Sequence, residues 1–162
     1  MTAKWLPPEQ YIETVARATS AACLYFTDTR GRPVQLRARR ATEIWQWPGG
    51  NMDPGETPWE CAVRECLEET GIIFEGPRTL LGSQFIRPRG TSWPANHIVF
   101  IFDGGTLTDE QIDGIVLDPD EHTEMRVETV EEWEKAMTPV GFARLKGIDE
   151  ARRTGKVAYF ER

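Results

Sequence analysis

At 162 residues, 40% hydrophobic and 28% charged, the chain is long enough to bury a sizeable core and reads as one domain over residues 1–162. No apolar run approaches the length of a membrane span, so a membrane protein is not expected. The formal net charge of −7 argues against general affinity for a nucleic acid polymer, yet leaves room for a small phosphate compound whose charge is met by metal ions.

Residues 1–12 read as a short leader with a turn of helix. MTAKWLPPEQ lacks the charged-then-apolar layout of a signal peptide, and a cytoplasmic protein is expected. Val15–Thr27 mixes β-branched, aromatic and small residues and predicts a strand. DTRGRP is a turn by composition, and VQLRARR then alternates apolar and polar, as a half-buried strand paired with the first. EIWQW is a short strand stopped by Pro48 and two glycines, and a helix follows over Pro58–Thr70. Residues 78–87 and 96–103 predict two more strands, with RPRGTSWPAN as the tip of a long hairpin. TDEQIDGIVLDPDEH reads mostly as loop, with one short element of unassigned type. Thr123–Val127 suggests a strand, Thr129 caps a short helix VEEWEKA, and a last helix runs from about Val140 to Arg153, ended by Gly155. This order predicts a mixed α/β or α+β sandwich.

Three cysteines, Cys23, Cys61 and Cys66, with no CxxC pair, suit neither a disulfide scaffold nor a zinc cage. With only His97 and His122, a histidine-based metal centre is not expected.

Five glutamates crowd into Gly49–Ile72, and like charges at helical spacing repel. On a helix over Pro58–Thr70, Glu65, Glu68 and Glu69 fall at i, i+3 and i+4 and share one face. Trp59, Ala62, Val63, Cys66 and Thr70 form a nearly opposite, apolar face. Thr57 suits the cap, Pro58 an early position, and Gly71 the left-handed stop. Convergent carboxylates are the oxygen ligands that Mg²⁺ and Mn²⁺ prefer, and the glycines of PGGNMDPGE would let backbone carbonyls approach an ion. Glutamate-rich helix faces are usually just solvated, so the spacing by itself leaves both readings open.

Gly50, five residues, Glu56, seven residues, Arg64-Glu65, then Glu68-Glu69-Thr70-Gly71-Ile72 resembles the Nudix box, GX5EX7REUXEEXGU. Every fixed charged and glycine position matches. Cys66 stands where the family usually has a bulky aliphatic residue, which predicts slightly looser packing and intact chemistry. The strands leading into WPGG and the later EHTEMRV strand are similar to the arrangement around that box. The resemblance implies an α/β/α sandwich with a mixed β-sheet. It also implies that Glu65, Glu68 and Glu69 bind Mg²⁺ (or Mn²⁺), with the carbonyl of Gly49 as an added ligand. Gly50, Glu56, Arg64 and Gly71 would support the site, and Glu60, off the metal face, would be solvated. Nudix sites often recruit a further carboxylate. Asp118, Asp120, Glu121 and Glu124 are the candidates, with Glu121 favoured, and the general base stays open between Glu65 and Glu121. The implied catalytic set is Glu65, Glu68 and Glu121.

The implied reaction is attack by metal-activated water on phosphorus in a diphosphate linkage of a nucleoside diphosphate derivative or nucleoside triphosphate. Trp45, Trp47, Phe85 and Trp93 are the aromatic candidates for stacking, and Arg87 and Arg89 the cations for phosphate. Trp45 and Trp47 alternate on a strand and suit the core, so Trp93, in a predicted loop, is the more interesting. His97 reads as a hydrogen-bonded strand residue. The alternative is a Nudix-fold nucleotide-binding or regulatory module without significant turnover, which the intact acid set disfavours. Homodimers are common in the family and have no residue signature here, and the box does not report which group the substrate carries.

Overall fold

The computed structural model describes residues 5–88 and 93–162. The chain runs through helix α1 (Pro8–Tyr11) and strands β1 (Ala18–Asp28), β2 (Val34–Ala38), β3 (Trp45–Gln46) and β4 (Gly49–Asn51). Helix α2 (Pro58–Thr70), strands β5 (Leu80–Ile86) and β6 (Asn96–Leu107), helix α3 (Asp109–Asp113) and strand β7 (His122–Val127) follow. Helices α4 (Val130–Ala136) and α5 (Pro139–Thr154) and strand β8 (Ala158–Glu161) complete the order.

One sheet has five strands in the order β4-β1-β6-β5-β8. It is mixed: β1 runs parallel to β6 and β5 to β8, while the β1–β4 and β5–β6 pairs are antiparallel. Side chains alternate across a strand, so β1 feeds two cores. Cys23 and Tyr25 join Trp45, Trp47, Trp133, Leu145 and Ile148 on the α5 face. Ala22, Leu24 and Phe26 join Cys61, Ala62 and Cys66 of α2 on the other. Helices on both faces of a mixed sheet make the α/β/α sandwich that the resemblance implied.

The expected pairing of the first two strands is corrected. β1 already has β4 and β6 on its two edges, so β2 does not join its sheet, and a bridge between Thr27 and Pro33, just before β2, links the two. Instead β2 pairs with β3 and β7 in a second, antiparallel sheet. The short element expected within the mostly loop stretch after β6 is α3, which Thr108 and Gln111 cap reciprocally.

Helix α2 carries its start and stop in its own sequence. Thr57 Oγ1 accepts from the Glu60 amide at 3.3 Å, while Glu60 Oε2 accepts from the Thr57 amide at 2.8 Å. Glu60, expected to be only solvated, therefore closes the first turn. Gly71 ends the helix at φ 74°, a conformation open to glycine. Among the described residues, no helix is long and apolar enough to cross a membrane.

Candidate active site

The site is built where β4 lies between β1 and α2. A Cβ at Gly49 would sit 2.3 Å from the Ala22 carbonyl oxygen, and one at Gly50 would sit 2.5 Å from Glu65 Oε1. At Gly49 the obstacle is backbone and only glycine fits, whereas at Gly50 it is the end of the Glu65 side chain. The Gly49 amide donates to Glu69 Oε2 at 2.8 Å, and the Cys61 thiol donates to the Gly50 carbonyl at 3.3 Å. The loop is thus fastened to the helix by the helix's own side chains.

Arg64 gathers the acids. Its guanidinium donates to both Glu56 oxygens at 2.9 and 3.0 Å, to Glu65 Oε1 at 2.8 Å and to Glu68 Oε2 at 2.9 Å. It reaches the Asn51 carbonyl at 3.2 Å as well, tying α2 to the end of β4. Hydrogen bonds from Arg64, then from the Asp53 amide, hold the Glu56 carboxyl down at about 2. Glu65 lies on the other side of its ordinary value, because burial raises it more than Arg64 lowers it.

Glu69 departs from the expected solvent-presented face, with 2% of its surface exposed. A step of 100° per residue sets it between Glu65 and Ala62, at the margin of the apolar face. Its Oε1 lies 3.1 Å from His122 Nε2, and both side chains are buried. Burial pushes the Glu69 carboxyl up despite His122. Burial also pulls the His122 imidazole down, but the Glu69 carboxylate outweighs it and holds His122 above its ordinary value.

His122 comes from β7, in the second sheet, and brings Glu121 with it. Ligand atoms of Glu69, Glu121 and His122 lie within 4.8 Å of one another. A histidine-based metal centre was not expected, and His122 stands at the edge of the acid cluster beside Glu69 and Glu121. Of the four outlying acids proposed from sequence, Glu121 is the one that joins it. Glu124 is engaged by Arg37 and Arg126, and Asp118 accepts from the Asp120 amide to turn the loop. A donor set dominated by carboxylate oxygens, with one imidazole at its margin, fits Mg²⁺ or Mn²⁺ better than a thiophilic metal.

The family model of the NUDIX domain matches residues 16–145. The chain belongs to the Nudix family. Among curated relatives, it is 41% identical over 54 residues to an RNA pyrophosphohydrolase of Rhodopseudomonas palustris, covering 25% of this chain and 31% of that one. It is 41% identical over 78 residues to an 8-oxo-dGDP phosphatase of Mus musculus, covering 46% of this chain and 22% of the relative. It is 35% identical over 94 residues to a CMP-5'-(N-acetyl-N-hydroxy-3-aminopropyl)phosphonate hydrolase of Streptomyces rubellomurinus, covering 56% and 44%. The chain thus spans less than half the length of each of these relatives. Among solved structures, a MutT protein from Methanosarcina mazei Go1 superposes with a TM-score of 0.67 at 24% identity, covering 87% of this chain and 97% of that one.

The remaining candidates scatter around this Nudix fold. Trp45 and Trp47 are buried in the core. Phe85 lies on the face of β5 opposite Gln84. Trp93 is half-exposed at the end of β1, where its Nε1 donates to Thr19 Oγ1 at 3.2 Å and its ring meets His97 edge-on at 5.3 Å. Arg87 sits at the β5–β8 edge, 3.5 Å from Glu161. Arg89 lies outside the described residues.

Two groups that the sequence reading did not single out come into view. Arg39 and Arg40 border a cavity of about 310 Å³ together with Ala38, Asp120 and Glu121. Behind β4, on the α5 face, a cavity of about 130 Å³ is lined by Ala21, Cys23, Trp47, Gly49, Val99 and Arg144. Arg144 and Gln46 also border a neighbouring cavity of about 210 Å³ that reaches Gln84.

Proposed function

We propose that this Nudix protein hydrolyses a diphosphate linkage in a small nucleoside diphosphate derivative or nucleoside triphosphate, by attack of water on phosphorus. The observation that carries this reading is the convergence of Glu65, Glu68 and Glu69 of α2, beside Gly49–Gly50, with Glu121, the residue that precedes β7. The names of the relatives, an 8-oxo-dGDP phosphatase and an RNA pyrophosphohydrolase among them, support the reaction class.

Glu65, Glu68 and Glu69, with the Gly49 carbonyl, would hold Mg²⁺, or Mn²⁺ in its place. When bound, the ion supplies charge neutralisation at the phosphate oxygens and a lower pKa for the attacking water. The chain's own residues do the rest. Arg64 keeps Glu65 and Glu68 together against their repulsion, and His122 fixes Glu69 through its buried carboxylate. Glu121 is assigned as the proton acceptor, because its neighbours are already engaged. Arg64 holds Glu65 and Glu68, and His122 faces Glu69, whereas no cation lies within ion-pair range of Glu121 among the described residues. Arg39 and Arg40 beside Glu121 set positive charge where the substrate's phosphates would lie.

The deciding experiment is turnover of a panel of nucleoside diphosphate compounds and triphosphates with Mg²⁺ or Mn²⁺, scoring the phosphate products. Native protein is expected to turn over at least one compound. Glu121→Gln should lower kcat by about 10²–10⁴ with little change in KM. Tight binding of one compound with no turnover of any would instead establish a binding module.

A further inference from the structure

Arg144 lines a cavity on the α5 face of the main sheet. Its guanidinium lies 4.7 Å from the centre of the Trp47 ring and donates to Gln84 Oε1 at a long 3.4 Å. Among the described residues no carboxylate comes within ion-pair range of it, whereas Arg32, Arg64 and Arg152 each have one. The ionisable group that acts on it is the Cys23 thiol, which burial pushes up to about 12 and so keeps neutral. Burial also pulls the Arg144 guanidinium below its ordinary value. Leaving a charge partly desolvated with no counter-charge is costly unless something else meets it.

The place is informative. Arg144 borders the cavity whose opposite edge is Gly49 and Gly50, so one short strand separates the acid cluster on the α2 side from this guanidinium on the α5 side. Ala21 and Val99 give the cavity small apolar walls, and the Trp47 ring lies against the guanidinium. Buried beside it, Trp47 Nε1 is a second donor without a partner. Gln84 turns its carbonyl oxygen to Arg144, and Gln46, whose amide both donates and accepts, sets no preference of its own.

We propose that this cavity takes the nucleobase of the substrate, and that Arg144 selects bases presenting a carbonyl edge, such as guanine or uracil, over those presenting an amino group, adenine and cytosine. The proposal rests on the diphosphate-hydrolase reading above. A guanidinium is purely a donor, and its fork matches the O6 and N7 acceptors of guanine. An amino group in that position would set donor against donor and leave both unsatisfied.

The test measures binding of GMP, UMP, AMP and CMP by calorimetry, and kcat/KM for the matching triphosphates, in native protein, Arg144→Lys and Arg144→Gln. Native protein is expected to favour the carbonyl-edged pair by about tenfold or more. In both variants that preference should collapse, through a ten- to hundredfold loss on guanine and uracil compounds carried mainly by KM. Lysine keeps the charge and the stem but not the fork, so it reports recognition even where glutamine harms folding. An equal loss on all four bases would mean that Arg144 meets a phosphate or merely packs, and would overturn the proposal. So would a native protein indifferent to the base edge. If no triphosphate is turned over, the proposed reaction fails while the monophosphate affinities still decide the role of Arg144.

Discussion

A methyl group at position 50 would collide with the free end of the Glu65 side chain, not with backbone. The fold can therefore accept Gly50→Ala by moving Glu65 aside, and the penalty should fall on the site. We expect Gly50→Ala to keep a native circular dichroism spectrum while the Mg²⁺ concentration for half-maximal activity rises about tenfold, the scale of a displaced ligand. Unchanged Mg²⁺ dependence would remove Glu65 from the metal assignment. At this scale the sequence was readable wherever partners share one helix. Glu65, Glu68 and Glu69 are visible from i, i+3, i+4 spacing, and Arg64 beside them from charge alone. His122 and Arg144 were not readable, since they reach the site through strand pairing and helix packing, which no local spacing encodes. The burial of Glu69 lay within reach of the helical wheel, one step from Ala62, but the carboxylate group suggested solvent.

Elements were legible in proportion to how much of their cause is local. Helix α2 has its cap, its first-turn proline and its glycine stop within one short stretch, Thr57 to Gly71, and its bounds were read correctly. Strand β4 was missed because Gly-Gly has low strand propensity, and what makes it a strand is the edge that β1 offers. Strand β8, four residues after the Gly155 stop, is specified by the free edge of β5 in the same way. The turn after β1 shows the opposite case, a local device that carries stability. Asp28 Oδ1 accepts from the Arg30 and Arg32 amides at 2.9 and 2.8 Å, and Oδ2 accepts from Arg32 Nε at 2.8 Å. Burial would raise the Asp28 carboxyl, but these bonds outweigh it and hold it below its ordinary value. A depressed folded pKa contributes stability that is full above the unfolded value of about 3.9 and is lost as pH falls through the folded one. Asp28→Asn should accordingly cost about 1–3 kcal/mol in urea unfolding at pH 7. Its difference from native protein should shrink as the pH falls below about 4. A difference that stays constant across that range would mean that shape, not charge, holds the turn.

Across the whole molecule, one sheet serves two tasks on its two faces. The α2 face gathers acids and the α5 face holds a guanidinium with no carboxylate in ion-pair range among the described residues, with Gly49 and Gly50 as the thin partition between them. For a chain of net charge −7, crowding four of its carboxylates into one corner opposes folding, and a divalent ion bound there relieves it. The unfolded chain has no such convergence, so the ion should bind the folded state selectively. At a hundredfold excess over its dissociation constant it then stabilises by about 2.7 kcal/mol. For a chain of this size that is a rise in Tm of roughly 5–10 °C, measurable by scanning calorimetry and reversible with a chelator. Glu68→Gln should shrink the rise, because its carboxylate belongs to the α2 face. Arg144→Lys should keep the full Mg²⁺ shift and lose only the additional shift given by GMP, because it lies across the partition. If Mg²⁺ leaves Tm unchanged at concentrations that support turnover, the ion enters with the substrate's phosphates, and the acids hold it only in the ternary complex.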